Sequence, residues 1–304
     1  MNSSHHKEWA DFWAGSGNRD QHGGCLPSGS TGFVQVQQRV WQEFSRTLPR
    51  GSRVLDIATG DGRVMGWIVK SRRDLKLLGV DLAPQLPEPP RGTKVRTGVA
   101  MEKLLFPDGR FAAVTSQFGF EYGTTAQTAR EICRVIAPGG LVGMMTHRKD
   151  GPILAQNLSR RDQILWALKD KDLITIAKNS LNLRASGLAA IPSAIDAAPQ
   201  EGAALHGPRS AAWEIAEAIR QTLVLGMRDH PANVARTIEI IAHKANNELG
   251  RIASLESACA RTEKAEEFTR EIETGGLTQC SISPVHEPGV GPAFADFRIL
   301  VKAR

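Results

Sequence analysis

The chain has 304 residues, 41% of them apolar and 23% charged, which is the make-up of a folded protein rather than a disordered one. No stretch approaches the ~18 consecutive apolar residues of a membrane span, and residues 1–13 lack the apolar centre of a secretory signal. The net charge is +6, but residues 1–150 hold 20 Lys and Arg against 14 Asp and Glu while residues 151–276 hold 15 against 16, and no run of five basic residues exists, so basicity is weak ground for a nucleic-acid partner.

The four cysteines, Cys25, Cys133, Cys259 and Cys280, are scattered without CxxC spacing. That argues against a zinc site and a disulfide framework, and it fits a cytoplasmic setting. The histidines show no ligand spacing, so no metal is expected.

Residues 1–32 carry Trp9, Phe12 and Trp13 ahead of a Gly- and Ser-rich stretch. They read as a short aromatic helix and a loop, which either anchors on the body or closes over a ligand as a lid. Phe33, Val36, Val40 and Phe44 recur at helical spacing, and the helix stops at Leu48-Pro49-Arg50-Gly51. An alternating pattern follows: a strand over 53–57, a helix over 61–71, strands over 75–80, 94–97 and 111–117, a helix over 125–136, and a strand over 141–146. Strands alternating with helices imply a parallel sheet covered on both faces.

From Pro152 the pattern turns helical. The stripe of Val234, Ile238, Ile241, Ala245, Leu249 and Ile252 is its clearest part, and its length also suits a homodimer interface. Residues 183–212 are rich in Ala, Pro and Gly and read as a loop with short helical turns. After Gly275-Gly276 the chain returns to strands over 278–285 and 295–301. The expected architecture is an α/β core of 33–150 and 277–304, with a helical insertion or cap of 151–276 between strands 5 and 6.

The chemistry is concentrated in Asp56-Ile57-Ala58-Thr59-Gly60-Asp61-Gly62, which joins the first strand to its helix. Gly60 and Gly62 permit a tight turn and close approach of a ligand. Roughly 20 residues on, Asp81 ends the second strand, where an acid can accept hydrogen bonds from a ribose diol. This much fits either a dinucleotide or S-adenosylmethionine. Asp56, the missing third glycine (Met65 stands in its place) and the Pro138-Gly139-Gly140 turn before the fifth strand favour the latter.

With these motifs and the Leu105–Phe111 turn, residues 33–150 and 277–304 resemble class I S-adenosylmethionine-dependent methyltransferases with a methyltransferase domain 11-type core. The resemblance implies a doubly wound, seven-stranded, mostly parallel sheet. It implies that Asp56, Gly60 and Gly62 hold the methionine part of the cofactor, that Asp81 holds the ribose, and that Leu82 lies beside the adenine. The family's adenine-binding Asp is replaced by Val99, which leaves the main chain of Ala100 and Met101 for that contact. Gln117 and Phe118 match the strand end bordering the methyl group.

Ligands bind at the C-terminal ends of such strands. There stand Glu121 and Tyr122 after the fourth strand, and His147 and Arg148 after the fifth. His147 is the candidate base, needed only for a protonated acceptor. Glu121 is the candidate orienting carboxylate, Arg148 a candidate anchor for an anionic acceptor, and Phe118, Tyr122 and Trp13 candidate substrate contacts. The expected activity is O- or N-methylation of a small or medium-sized organic acceptor under the helical cap. The alternatives are an RNA methyltransferase and a cofactor-binding relative without catalysis.

Overall fold

The computed structural model describes residues 4–15, 31–185, 191–287 and 289–303. The expected loop over 16–30, with Cys25, lies outside the described residues. The chain divides into two compact units, one of residues 1–155 with 253–304, the other of residues 156–252.

The first unit is built on seven strands: β1 (Arg53–Ile57), β2 (Lys76–Val80), β3 (Lys94–Arg96), β4 (Phe111–Gln117), β5 (Ile136–His147), β6 (Leu277–Glu287) and β7 (Val290–Lys302). Their order is β3-β2-β1-β4-β5-β7-β6. The four pairings among β1 to β5 are parallel, and β7 runs antiparallel to both β5 and β6. Val54, Leu55 and Ile57 of β1 and Ala113 and Val114 of β4 are buried, because the central strands have helices over both faces and so need near-continuous apolar runs.

Helix α1 spans Ser4–Gly15, α2 Thr31–Arg46, α3 Arg63–Ser71 and α4 Thr125–Val135. On one face, Trp41 and Phe44 of α2 pack edge-on against Phe297 of β7. On the other, Ile132 and Val135 of α4 join Phe120, Phe268 and Ile272 in the main apolar cluster. Pro138-Gly139-Gly140 does not break the strand. Phe111 pairs with Ile136 and the next pair is Ala113 with Leu141, so the extra residues bulge out of one long β5, with Gly139 at φ +73°.

Five of the remaining helices are α5 (Pro152–Leu165), α6 (Leu173–Ala185), α7 (Ser193–His206), α8 (Ala211–Leu225) and α9 (Pro231–Glu263); the last, α10, spans Ala265–Thr274. In the second unit, Leu173, Ala177, Ile195, Ala198, Ile219, Leu223 and Ile238 share a core. Arg160 bridges Glu214 and Glu248.

Two sequence expectations change here. Residues 193–206 form a full helix with Pro199 inside it, where a loop was expected. Its alanines are strong helix formers, and Gly202 lets it press against α8: a Cβ there would lie 3.2 Å from the main chain of Ala212 and Trp213. The helical unit is also shorter than the 151–276 block, because the unit boundary falls inside α9. Phe268 and Ile272 of α10 belong to the core of the first unit.

Candidate active site

The turn after β1 takes left-handed backbone at three residues. Ala58, Gly60 and Gly62 all have left-handed φ, at +50°, +51° and +71°. A glycine is needed at position 60 on a second count. A Cβ there would lie 2.5 Å from Cζ2 of Trp13, so the indole of α1 rests directly on the turn. Beneath it, Asp56 accepts hydrogen bonds from the hydroxyls of Thr59 (2.5 Å) and Thr115 (2.6 Å). Its burial pushes the carboxyl up from 3.8 to about 7, against the pull of those two hydroxyls.

Asp81, at the end of β2, accepts the main-chain N–H of Gly60 on one oxygen and that of Ala83 on the other, both at 2.9 Å. Burial raises its pKa and the backbone donors oppose this. A carboxylate has about four lone-pair sites, so lone pairs remain for a vicinal diol. The N–H of Val99 donates to the carbonyl of Asp81 at 2.9 Å and that of Gly98 to Ala83 at 3.2 Å. These bonds lace residues 98 and 99 against the segment of Asp81 and Ala83, with Ala100 and Met101 next along the chain. Leu82 keeps 39% of its surface exposed, an apolar face of the kind a flat base covers. The left-handed glycine turn, the part-satisfied diol acceptor and the bare leucine fit S-adenosylmethionine. Gly60, Gly62, Asp81 and Leu82 are the residues that would hold it.

Past the ends of β4 and β5 the structure joins two residues 26 apart in sequence. One carboxylate oxygen of Glu121, Oε1, meets both the main-chain N–H of His147 (2.9 Å) and its ring Nδ1 (2.8 Å). Both side chains are fully buried. With Glu121 as a carboxylate, which only accepts, the arrangement assigns the donor role to Nδ1 and the acceptor role to Nε2. Phe118 stacks on the imidazole with centroids 4.2 Å apart and planes at 26°. It does so from φ +54°, a conformation costly for a bulky residue, held by its N–H to the carbonyl of Met145 at 2.8 Å.

Tyr122 lies edge-on to His147 at 5.8 Å and to Trp9 at 5.7 Å. Trp9, Phe12 and Trp13 form an edge-to-face series at 5.8 and 5.0 Å. The aromatic face of α1 therefore runs from the glycine turn to Tyr122, which borders the imidazole.

Two sequence candidates do not join this site. The amide of Gln117 is spent on α2: its Oε1 accepts from Trp41 Nε1 at 2.6 Å and its Nε2 donates to Gln37 Oε1 at 3.0 Å. Its side chain fastens α2 to the sheet instead of facing a cofactor. Arg148 is matched by two carboxylates, Asp150 and Asp296, at 2.7 Å each, so its charge is already balanced and it is no anchor for an anion. Thr59 and Thr115 carry no signal in the sequence, since their hydroxyls become meaningful only once β1 and β4 are paired.

The strand order places this site at the switch point between β1 and β4, outside the carboxyl ends of the strands. With the glycine turn and the acid after β2, it defines the core of a class I S-adenosylmethionine-dependent methyltransferase. Comparison with known proteins agrees: residues 54–140 match the family described as methyltransferase domain. A ubiquinone/menaquinone biosynthesis C-methyltransferase, UbiE, of Neisseria meningitidis is 32% identical over 123 residues, which is 36% of this chain and 50% of that protein. A demethylmenaquinone methyltransferase of Thermus thermophilus is 36% identical over 96 residues, 29% of this chain and 44% of that protein. The chain thus spans about half the length of the curated relatives it matches. Among solved structures, the 1,6-didemethyltoxoflavin-N1-methyltransferase of Burkholderia thailandensis overlaps 98% of this chain and 88% of its own, at 10% identity and a TM-score of 0.46.

Among the described residues, no helix is long and apolar enough to cross a membrane.

Proposed function

We propose that this protein transfers the methyl group of S-adenosylmethionine to a small or medium-sized organic acceptor that carries an ionisable hydroxyl. The observation that carries this reading is the buried Glu121–His147 pair. A carboxylate on Nδ1 orients the ring and stabilises the imidazolium, which makes Nε2 a base. S-adenosylmethionine, when bound, supplies a methyl on a positive sulfur that leaves as a neutral thioether.

His147 takes the hydroxyl proton on Nε2, and Glu121 balances the charge that results. The deprotonated acceptor then presents its electron pair either at oxygen or, in an enol or phenol, at the carbon next to the one that bears the oxygen. Transfer to that carbon gives the keto tautomer, and moving the proton from that carbon to the oxygen restores the hydroxyl. The relatives named as C-methyltransferases support carbon, in place of the O- or N-methylation expected from the sequence. Phe118 and Tyr122 border the imidazole, with Trp9 behind Tyr122, and these rings exclude water and suit a planar acceptor.

The test is His147→Gln, measured by transfer of labelled methyl from S-adenosylmethionine into a cell extract. The rate falls about 10²- to 10⁴-fold while calorimetric affinity for S-adenosylmethionine is kept. Full transfer in the variant would overturn the role of His147.

A further inference from the structure

The Glu121–His147 pair is held from a part of the chain far from it in sequence. The last turn of α9 carries Arg261 and Thr262. The Arg261 guanidinium donates from Nη1 to the carbonyl of Glu121 and, at 3.1 Å, to that of Gly123. The next residue, Thr262, donates its hydroxyl to the carbonyl of His147 at 2.8 Å. Thr262 is buried. One residue later, Glu263 pairs with Lys149 at 2.6 Å on the surface.

Consecutive side chains on one helix turn therefore each grip the main chain of one member of the pair. We propose that Arg261 and Thr262 are positioning residues that set the geometry of the Glu121–His147 pair. This rests on the reading of His147 as the base.

The pair tolerates little displacement. The Nδ1···Oε1 contact has hydrogen-bond length only if the main chains of residues 121 and 147 keep their separation. Glu121 stands on a single three-residue 3-10 turn, Phe120–Tyr122, a short element with poor hydrogen-bond geometry of its own. Arg261 closes that turn by taking the carbonyls at 121 and 123 in one fork. Thr262 fixes the carbonyl of His147 at the point where β5 ends, and so fixes the plane from which the ring projects. A helix that merely packed here needs apolar contact alone. Two adjacent polar groups, directed at the carbonyls of the two paired residues, exceed that need.

A simple structural role is the competing explanation, since the Thr262 hydroxyl also lies 3.0 Å from the carbonyl of Cys259 in its own helix. The measurement must therefore read the imidazole itself. Histidines are labelled with ¹⁵N in the full chain, and the His147 ring signals are assigned by their loss in His147→Gln. Wild type is expected to show the tautomer protonated at Nδ1. In Thr262→Val, nearly isosteric, the ring signals move toward a mixture of tautomers, or the titration midpoint shifts by about half a pH unit or more.

Thr262→Ser restores the wild-type signals. Arg261→Met reproduces the defect on the Glu121 side, and it keeps the test alive should the buried valine variant fail to fold. In both defective variants, transfer of labelled methyl into extract falls about tenfold, and calorimetric affinity for S-adenosylmethionine is unchanged.

Wild-type ring signals in both Thr262→Val and Arg261→Met would overturn the proposal. Its failure is separable from failure of the base reading. Full transfer by His147→Gln refutes the base alone, and the ring signals still report whether residues 261 and 262 set the pair.

Discussion

Replacing Asp56 by Asn tests the electrostatics of the cofactor turn with a sign that is easily read. The Asp56 carboxyl is raised from 3.8 to about 7 because it is buried, and the Thr59 and Thr115 hydroxyls offset this only in part. Between these two values the unfolded chain has released the proton and the folded chain retains it. Stability therefore falls as pH rises through that window, and the loss is complete above about pH 7. Three pKa units at about 1.4 kcal/mol each put the total near 4 kcal/mol, an order-of-magnitude figure.

Asn keeps the shape of Asp56. Its oxygen accepts from one threonine and its amide donates to the other hydroxyl, which rotates to accept. Urea unfolding of both proteins from pH 4.5 to 8 gives the wild-type minus variant difference, in which other titrating groups cancel. That difference is expected to drift against wild type by roughly 1 kcal/mol per pH unit up to pH 7, then level off. By pH 8 the variant is the more stable protein. Parallel curves across the range would refute the reasoning.

Asp81→Ala removes the acceptor of the Gly60 and Ala83 N–H groups together with the diol site; calorimetry is expected to show at least about a tenfold loss of S-adenosylmethionine affinity. Gly60→Ala forces a side chain into φ +51° and into the Trp13 indole. It should cost about 1–2 kcal/mol in backbone strain, weaken cofactor binding, and change tryptophan fluorescence as α1 is displaced. Gln117→Leu leaves the buried Trp41 Nε1 without its acceptor. It is expected to cost about 1–3 kcal/mol in denaturation and to leave S-adenosylmethionine affinity unchanged.

The cofactor half of the site was legible because its signal is local. Asp56, Gly60, Gly62 and Asp81 sit on a strand–turn–helix–strand run, where residue type and spacing carry the geometry. The proposed catalytic pair was legible only as separate residues. Glu121 follows β4 and His147 ends β5, but their contact depends on the register that sets Gln117 opposite Met145.

Gln117 shows the converse. Its place at a strand end matched a cofactor position, yet strand alternation puts it on the face of Thr115 and so toward α2. Arg148 was misjudged because its partner Asp296 lies on β7, beyond the reach of local pattern. Helix α7 was hidden by Pro199 and Gly202, residues that penalise an isolated helix and are accommodated once α8 packs against it. Arg261 and Thr262 could not be found at all from spacing, since their meaning comes from where the end of α9 lies in the first unit.

The most direct test of the account is where the methyl goes. Purified protein is incubated with methyl-labelled S-adenosylmethionine and cell extract, and the extract is fractionated into small molecules, RNA and protein, with His147→Gln run in parallel. The account expects label in the small-molecule fraction with wild type and almost none with the variant. Label in RNA or protein, or none in any fraction with wild type, would contradict it.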